Sequence, residues 1–431
     1  MKIFDIMILN RIWIGMFFIA VLTALSKLVF WQDTDIFKSM FDALMSAGSV
    51  GFEIALFLTG AICLWMGIMK IGENGGAISK LAKLVSPLFV KIFPEVPKNH
   101  PAVGAMMMNF SANMLGLDNS ATPLGLKAMK ELQELNPEKE TASNAQIMFL
   151  VLNTSGLTII PVSIFALLGT TSYEESAAIV FLPILIATFF ATLAGLVIVG
   201  IKQKINLLDK VVIAYIGSLA ALIFGLLYVV SKDPKLGESI SNIGGPVLIF
   251  AIITSFVILA VRKKVNVYES FIDGAKDGFD VAIKIIPYLI AILAAIALLR
   301  ASGAMDAFLG GLKWIFVSIG ITATEWIDAL PVGMMKPMSG SGARAALVEV
   351  MTQYDIKPNA ELIAQGKKIT MSLQTKIGAT MQGSTETTLY VLAVYFGSVG
   401  IKKTRYAAAA GLLCDLIGII AAIIVSYIFF A

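Results

Sequence analysis

Residues 113–123 read Asn-Met-Leu-Gly-Leu-Asp-Asn-Ser-Ala-Thr-Pro, and residues 337–344 read Pro-Met-Ser-Gly-Ser-Gly-Ala-Arg. Both stretches are polar and helix-breaking in a chain that is otherwise apolar. Hydrocarbon offers no water to backbone N–H and C=O groups, so an irregular segment at membrane depth persists only when it is buried in protein or lines a wet cavity. The two stretches occupy corresponding places in the two halves of the chain. Paired interruptions of this kind point to the solute site of a transporter built from repeats.

The surrounding chain fixes the class. Of 431 residues, 58% are hydrophobic and 14% charged, against about 25% charged in a soluble domain. Apolar runs lie at 12–30, 54–69, 145–169, 178–201, 211–230, 243–261, 285–299, 370–399 and 407–430, most near the roughly 20 residues that span a bilayer. They predict an all-α integral membrane protein with about nine crossings. The net charge of +4 is spread over short clusters between these runs, which orients a membrane protein and gives nucleic acid no continuous basic face. Cys63 and Cys414 sit inside apolar runs, too few for a disulfide framework or a thiolate metal site.

The halves are related. Gly51-Phe52-Glu53-Ile54-Ala55 resembles Gly278-Phe279-Asp280-Val281-Ala282, with Phe279 lying 227 positions after Phe52. The same offset pairs Gly76 with Gly303, while Pro101 pairs with Pro331 at 230, and Ser155 and Thr158 with Ser384 and Thr387 at 229. A register kept over this length predicts a duplication: residues 1–205 as the first repeat, 206–235 as a connecting transmembrane helix, and 236–431 as the second repeat.

Charge bias predicts that the repeats are inverted. Run 178–201 follows Glu174 and Glu175 and ends at Lys202 and Lys204, whereas its mate 407–430 follows Lys402, Lys403 and Arg405 and ends uncharged. The first span has Lys2 and Arg11 before it and Asp33 and Asp35 after it, whereas its mate ends in Arg262-Lys263-Lys264. Basic residues stay on the cytoplasmic side, so mates point in opposite directions. Lys27 and Arg300 run against the rule. The patch 113–123 is then a re-entrant hairpin, and the patch around 331–344 its inverted twin.

Three polar groups stand out. The first hairpin carries Asn109, Asn113, Asp118, Asn119, Ser120 and Thr122; a helix starting near Ser120 would aim its positive end at a bound solute, though Asn119 or Ser120 also suits a plain N-cap with Pro123 in the first turn. The second hairpin carries Lys336, Ser339, Ser341 and Arg344 around Gly340 and Gly342, and its two cations either bind an anionic group or neutralise Asp118 or Glu386. The third group is a matched pair inside long apolar runs: Asn153, Ser155 and Thr158 against Gln382, Ser384, Thr385, Glu386 and Thr387. Pro161 and the glycines there predict unwinding, although Ser and Thr in membrane helices also bond their own i−4 carbonyl. Glu53 and Asp280, matched at span entrances, suit gates or anionic caps, and Asp415 is a lone acid in the last span.

Asn113 to Met129 resembles the signature of the spore maturation protein A family, and Pro337 to Gly342 with Met381 to Gly400 resembles that of the spore maturation protein B family. The chain resembles a natural fusion of the two, with 211–230 as the joining helix. Both families belong to a nucleoside-recognition or Gate-domain group that includes parts of concentrative nucleoside transporters and ferrous iron transporters. The resemblance implies a membrane role in solute movement, with spore-core dehydration as the context in spore formers.

These readings converge on a secondary transporter or gated carrier of the bacterial cytoplasmic (inner) membrane. Its solute is nucleoside-like or another small polar molecule, Na+ or H+ is the candidate coupling ion, and Glu386 and Asp118 are the candidate coupling carboxylates. No other cofactor and no metal is called for. The expected partners are the lipid bilayer and the solute, with a homo-oligomer allowed. The alternative is a non-transporting scaffold or gate subunit. An enzyme is disfavoured, since there is no Walker loop, and His100 is the only histidine, which leaves no histidine pair for a metal.

Overall fold

The computed structural model describes residues 2–232 and 240–431, with side chains described for all of these except 2–9, 118–120, 241, 242, 281 and 285. The first half runs α1 (Lys2–Phe30), α2 (Ile36–Gly75), α3 (Ala77–Ile92), a hairpin of α4 (Pro101–Met114) and α5 (Asp118–Leu135), a broken pair α6 (Asn144–Thr154) and α7 (Val162–Leu168), then α8 (Phe181–Gln203). α9 (Lys210–Lys232) follows without a counterpart. The second half repeats the order with α10 (Gly245–Arg262), α11 (Val267–Ala301), α12 (Ala304–Ser318), a hairpin of α13 (Glu325–Met335) and α14 (Gly340–Met351), a short added α15 (Ala360–Ala364), the broken pair α16 (Leu373–Gly383) and α17 (Thr388–Ser398), and α18 (Ala407–Phe430).

Among the described residues, seven helices are long and apolar enough to cross a membrane. They are α1, α2, α8, α9, α10, α11 and α18. The other two long runs, 145–169 and 370–399, are the broken pairs. α4 and α13, with 14 and 11 residues, are about 21 and 17 Å long, short of the roughly 30 Å hydrocarbon core. A helix of that length turns back, as the hairpins do.

Mated helices pack antiparallel, and glycines make the approach close. A side chain at Gly51 would strike Ile290, one at Gly67 would strike Phe271, and one at Gly278 would strike the backbone of Cys63, so α2 and α11 run in opposite directions against each other. The same holds for α8 and α18, where Gly195 faces Cys414 and Gly418 faces Ala191. Helices that mate in sequence and oppose in direction are what an inverted duplication produces. The opening helix of each half packs on the long helix of the other: Trp13 Nε1 donates to Ala291 O at 2.9 Å, and Gly72 and Gly75 lie against Phe256 and Ala260.

Gly76 and Gly303 carry the register into the backbone. Both are left-handed, with φ of 87° and 80°, ending a long helix and starting the next. An L-residue with a side chain resists that conformation, which is why glycine stands at both breaks. The ammonium of Lys263 covers Gly76 and that of Lys27 covers Gly303. A cation at a helix C-terminus gains about 0.3–1 kcal/mol from the carbonyl ends, which accounts for Lys27 standing where charge bias alone would not place it. Arg300, the other exception, is ion-paired with Asp306 and Glu349, each at 2.9 Å.

Loops from the two halves meet at both ends. At one end, Ala142 N–H donates to Lys403 O and the Lys402 and Lys403 N–H groups to Glu140 O, while Gln203 Nε2 donates to the Tyr406 hydroxyl. At the other, Ile369 N–H donates to Ser172 O and Glu174 N–H to Ile369 O, beside a Lys376–Glu175 ion pair of 3.1 Å.

Candidate functional site

The two broken helices meet between the ends. A capping box of Ser143 and Gln146 starts α6, and the helix stops before Gly156 and Pro161, the latter lacking an N–H to continue the ladder. The unwound segment is held by backbone: Ile159 N–H donates to Met114 O at 2.7 Å, at the tip of the first hairpin. Its counterpart is Leu389 N–H donating to Pro337 O at 3.0 Å, at the tip of the second. Across the halves, Glu386 N–H donates to Thr154 O at 2.7 Å. At the first tip Gly116 has φ of 70°, and any side chain there would collide with the Ile160 carbonyl.

Amides dominate the first half of this centre. Asn113 Nδ2 donates to Asn153 Oδ1 at 2.6 Å, and Asn153 Nδ2 donates to Phe149 O at 2.8 Å. Asn109 Nδ2 donates to Ala121 O at 2.7 Å and to the Tyr395 hydroxyl at 3.1 Å. Tyr395, from the other half, donates in turn towards Asn153 Oδ1 at 3.4 Å and stacks on Phe149. Thr122 is half-buried. The side chains of Asp118, Asn119 and Ser120 lie outside the described residues. Their backbone corrects the expected helix start: α5 begins at Asp118 with Leu117 at the cap position, so Asn119 and Ser120 are inside the first turn and neither is the N-cap.

Charge appears in the second half. Lys336 ends α13 and is buried, with no ion pair among the described residues. Ser339 caps α14, its hydroxyl accepting from Gly342 N–H at 3.0 Å and lying 3.2 Å from the Ser341 hydroxyl. Gln382 Nε2 reaches Gly340 O at 3.4 Å, and its Oε1 is buried without a partner among the described residues. Arg344 and Glu386 are half-buried and Thr387 is buried. Asp415 of α18 faces Thr385, Thr388 and the charges of Lys336 and Glu386.

Some expected residues turn inward on their own chain. Ser155 donates to Val151 O at 2.8 Å, Ser384 to Met381 O at 2.8 Å and Thr158 to Gly156 O at 3.3 Å. Glu53 and Asp280 cap nothing, because α2 and α11 begin at Ile36 and Val267, and both acids are exposed in mid-helix. His100 caps α4, its Nδ1 accepting from Ala102 N–H at 3.2 Å, beside Glu131 and Glu134. Tyr395 and Thr388 had only the weak signal of polar atoms in an apolar run.

Comparison with known proteins adds the family. The Gate description, nucleoside recognition, matches residues 55–171 and 282–402, which together exceed half of the chain. Spore maturation protein B of Bacillus subtilis (strain 168) is 41% identical over 179 residues, 42% of this chain and 90% of that protein. Spore maturation protein A of the same organism is 32% identical over 189 residues, 44% of this chain and 92% of that protein. Less than half of this chain spans each relative almost whole, as a fusion of two such proteins requires. No solved structure matches the chain.

Proposed function

This chain belongs to the Gate family of nucleoside-recognition proteins, and from that premise we propose that it is a secondary transporter or gated carrier for a nucleoside-like or other small polar solute. The observation that carries the reading is the meeting of the two breaks through Glu386 N–H and Thr154 O, 2.7 Å apart, with each break docked on its hairpin tip. Carbonyls freed by unwinding and amides held at the tips form a polar centre inside an apolar bundle. The solute is bound there by Asn109, Asn113, Asn153 and Gln382, with Asp118, Asn119, Ser120 and Thr122 from the first hairpin. Lys336, Ser339, Ser341 and Arg344 serve from the second hairpin, and Ser155, Thr158 and residues 384–387 from the breaks. Na+ or H+ is the coupling ion, with Glu386 and Asp118 as the coupling carboxylates.

On this reading residues 1–205 and 236–431 are the two moving repeats and 206–235 joins them. The basic end, with Lys202, Lys204, Lys402, Lys403 and Arg405, faces the cytoplasm across the inner membrane. The chain moves solute without making or breaking covalent bonds. The test is flux in vesicles of the purified full-length protein, after a thermal-shift panel of nucleosides and small polar solutes has selected a ligand, since a ligand that binds the folded state raises its midpoint. Saturable uptake of a stabilising solute is expected. Binding without any flux in sealed vesicles favours the scaffold or gate subunit.

A further inference from the structure

Four charged side chains are buried among the described residues: Asp328, Lys336, Asp355 and Asp415. Two are provided for. Lys313 reaches Asp328 at 2.7 Å, and Asp355 accepts from the Tyr173 hydroxyl at 2.7 Å and from Ser372 N–H at 3.0 Å. Asp415 differs. It is 1% exposed, and among the described residues neither carboxylate oxygen makes a hydrogen bond of good geometry.

Its surroundings are built for oxygen ligation. The side chains of Thr385 and Thr388, at the break between α16 and α17, stand within hydrogen-bonding reach of the carboxylate, and both hydroxyls are buried with no well-formed hydrogen bond among the described residues. Two glycines of α18 let the break come close: a Cβ at Gly418 would stand 2.6 Å from Thr385 Cγ2, and one at Gly411 would stand 2.6 Å from Thr388 Cγ2. The Thr154 hydroxyl lies on the same wall, 3.4 Å from that position at Gly411. Buried polar atoms left without partners call for an occupant, and here four oxygens face one another.

We propose that Asp415, Thr385 and Thr388 bind a sodium ion. Carboxylate and hydroxyl oxygens suit a hard cation. One carboxylate neutralises one positive charge, whereas a divalent ion would leave excess positive charge buried near Lys336, which burial penalises strongly. A proton on the carboxyl is the competing occupant, and the pH-gradient arm of the experiment separates it from sodium. The Lys336 ammonium, buried and without an ion pair among the described residues, acts on the same carboxylate, so ion and ammonium compete for it. Whatever draws Lys336 away strengthens ion binding. The role of this ion in coupling rests on the transport reading above, whereas its binding does not.

The experiment is thermal unfolding of the purified full-length protein in NaCl, KCl or choline chloride at equal ionic strength, with solute flux in vesicles under a sodium gradient alongside it. A saturable midpoint rise specific to NaCl is expected for the wild type, lost in Asp415→Asn and weakened in Thr388→Val, which keeps its shape and serves if Asp415→Asn fails to fold. Equal midpoints in all three salts, or a sodium response kept in Asp415→Asn, overturn the site. Solute flux that follows a pH gradient with no sodium response overturns it while upholding transport. Sodium binding with no flux of any solute upholds the site and rejects the transport reading alone.

Discussion

Both halves of the chain break the same helix and dock the break on the same kind of hairpin, yet they fill the centre with different chemistry. In the first half Asn109, Asn113 and Thr188 are neutral and bonded: Asn109 to Ala121 O, Asn113 to Asn153, and Thr188 to Leu185 O at 2.9 Å. In the second half Lys336 and Asp415 are a cation and an acid, both buried and neither ion-paired among the described residues. The breaks and the glycines recur in both halves and the charges do not, and an ionisable group kept in a membrane domain at such a cost points to function.

The largest expected effect comes from removing both matched amides. Replacing Asn153 and Gln382 together by Leu should abolish solute binding, read as loss of the ligand-induced midpoint shift. Taken singly, the two changes should separate the halves. Asn153→Leu strands the Asn113 amide and should cost about 1–3 kcal/mol of stability, whereas Gln382→Leu gives up only a 3.4 Å contact near the limit of a hydrogen bond. Equal losses would mean that the two breaks are equivalent and that the contrast is superficial.

A smaller effect of opposite sign is expected at Asn109 and Lys336, one from each half. Asn109→Leu leaves Ala121 O and the Tyr395 hydroxyl without their donor and should destabilise by about 1–3 kcal/mol. Lys336→Met removes a buried cation that has no ion pair among the described residues and should raise the unfolding midpoint in NaCl, where sodium takes over the neutralisation of Asp415, with a gain of about 1 kcal/mol. A destabilised Lys336→Met protein would show that the ammonium holds the hairpin together, and the charges would then belong to the architecture.

Much of this plan can be read in the sequence, for physical reasons. Apolar runs near 20 residues become helices, and a glycine recurring at the start of a matched segment marks a left-handed break, as at Gly76 and Gly303. Pro161 and the glycines around Gln382 predict the unwinding after Asn153 and Gln382. What fails to show is direction and contact. Nothing local tells that Gly51, Gly67 and Gly278 form one antiparallel seam, or that Tyr395 reaches Asn109 across the halves. Asp415 looks like any lone acid in an apolar span, because its neighbours Thr385 and Thr388 come from another helix pair. The start of α5 at Asp118 was also hidden, since Asn and Ser favour the cap position while the backbone places Leu117 there.

Glu386 sharpens the contrast at a lower level. Its backbone N–H already secures Thr154 O, and no ion pair to its side chain is present among the described residues. Glu386→Gln should therefore leave the unfolding midpoint within about 0.5 kcal/mol of wild type and change only ion-driven uptake. Destabilisation rescued by Lys336→Met would instead identify Glu386 as a counter-ion.

The smallest effect lies at the ends, which differ as the two halves of the centre do. The exposed Glu140 carboxyl is held below its ordinary range by its hydrogen bond and charge contact with Lys402. A depressed carboxyl contributes its support above the unfolded value of about 4.3 and loses it as pH falls through the folded one. At the opposite end burial, then Asp355, raises the Tyr173 hydroxyl well above its ordinary range, so it keeps its proton and its bond to Asp355 as pH rises past about 10. Hydrogen exchange in 136–144 and 400–406 should rise below about pH 4.3, and Glu140→Gln should remove that acid step without moving the global midpoint, as expected for an exposed pair. If the acid step survived in Glu140→Gln, the Glu140–Lys402 pair would not be what closes that end, and the two ends would not differ in the group that holds them.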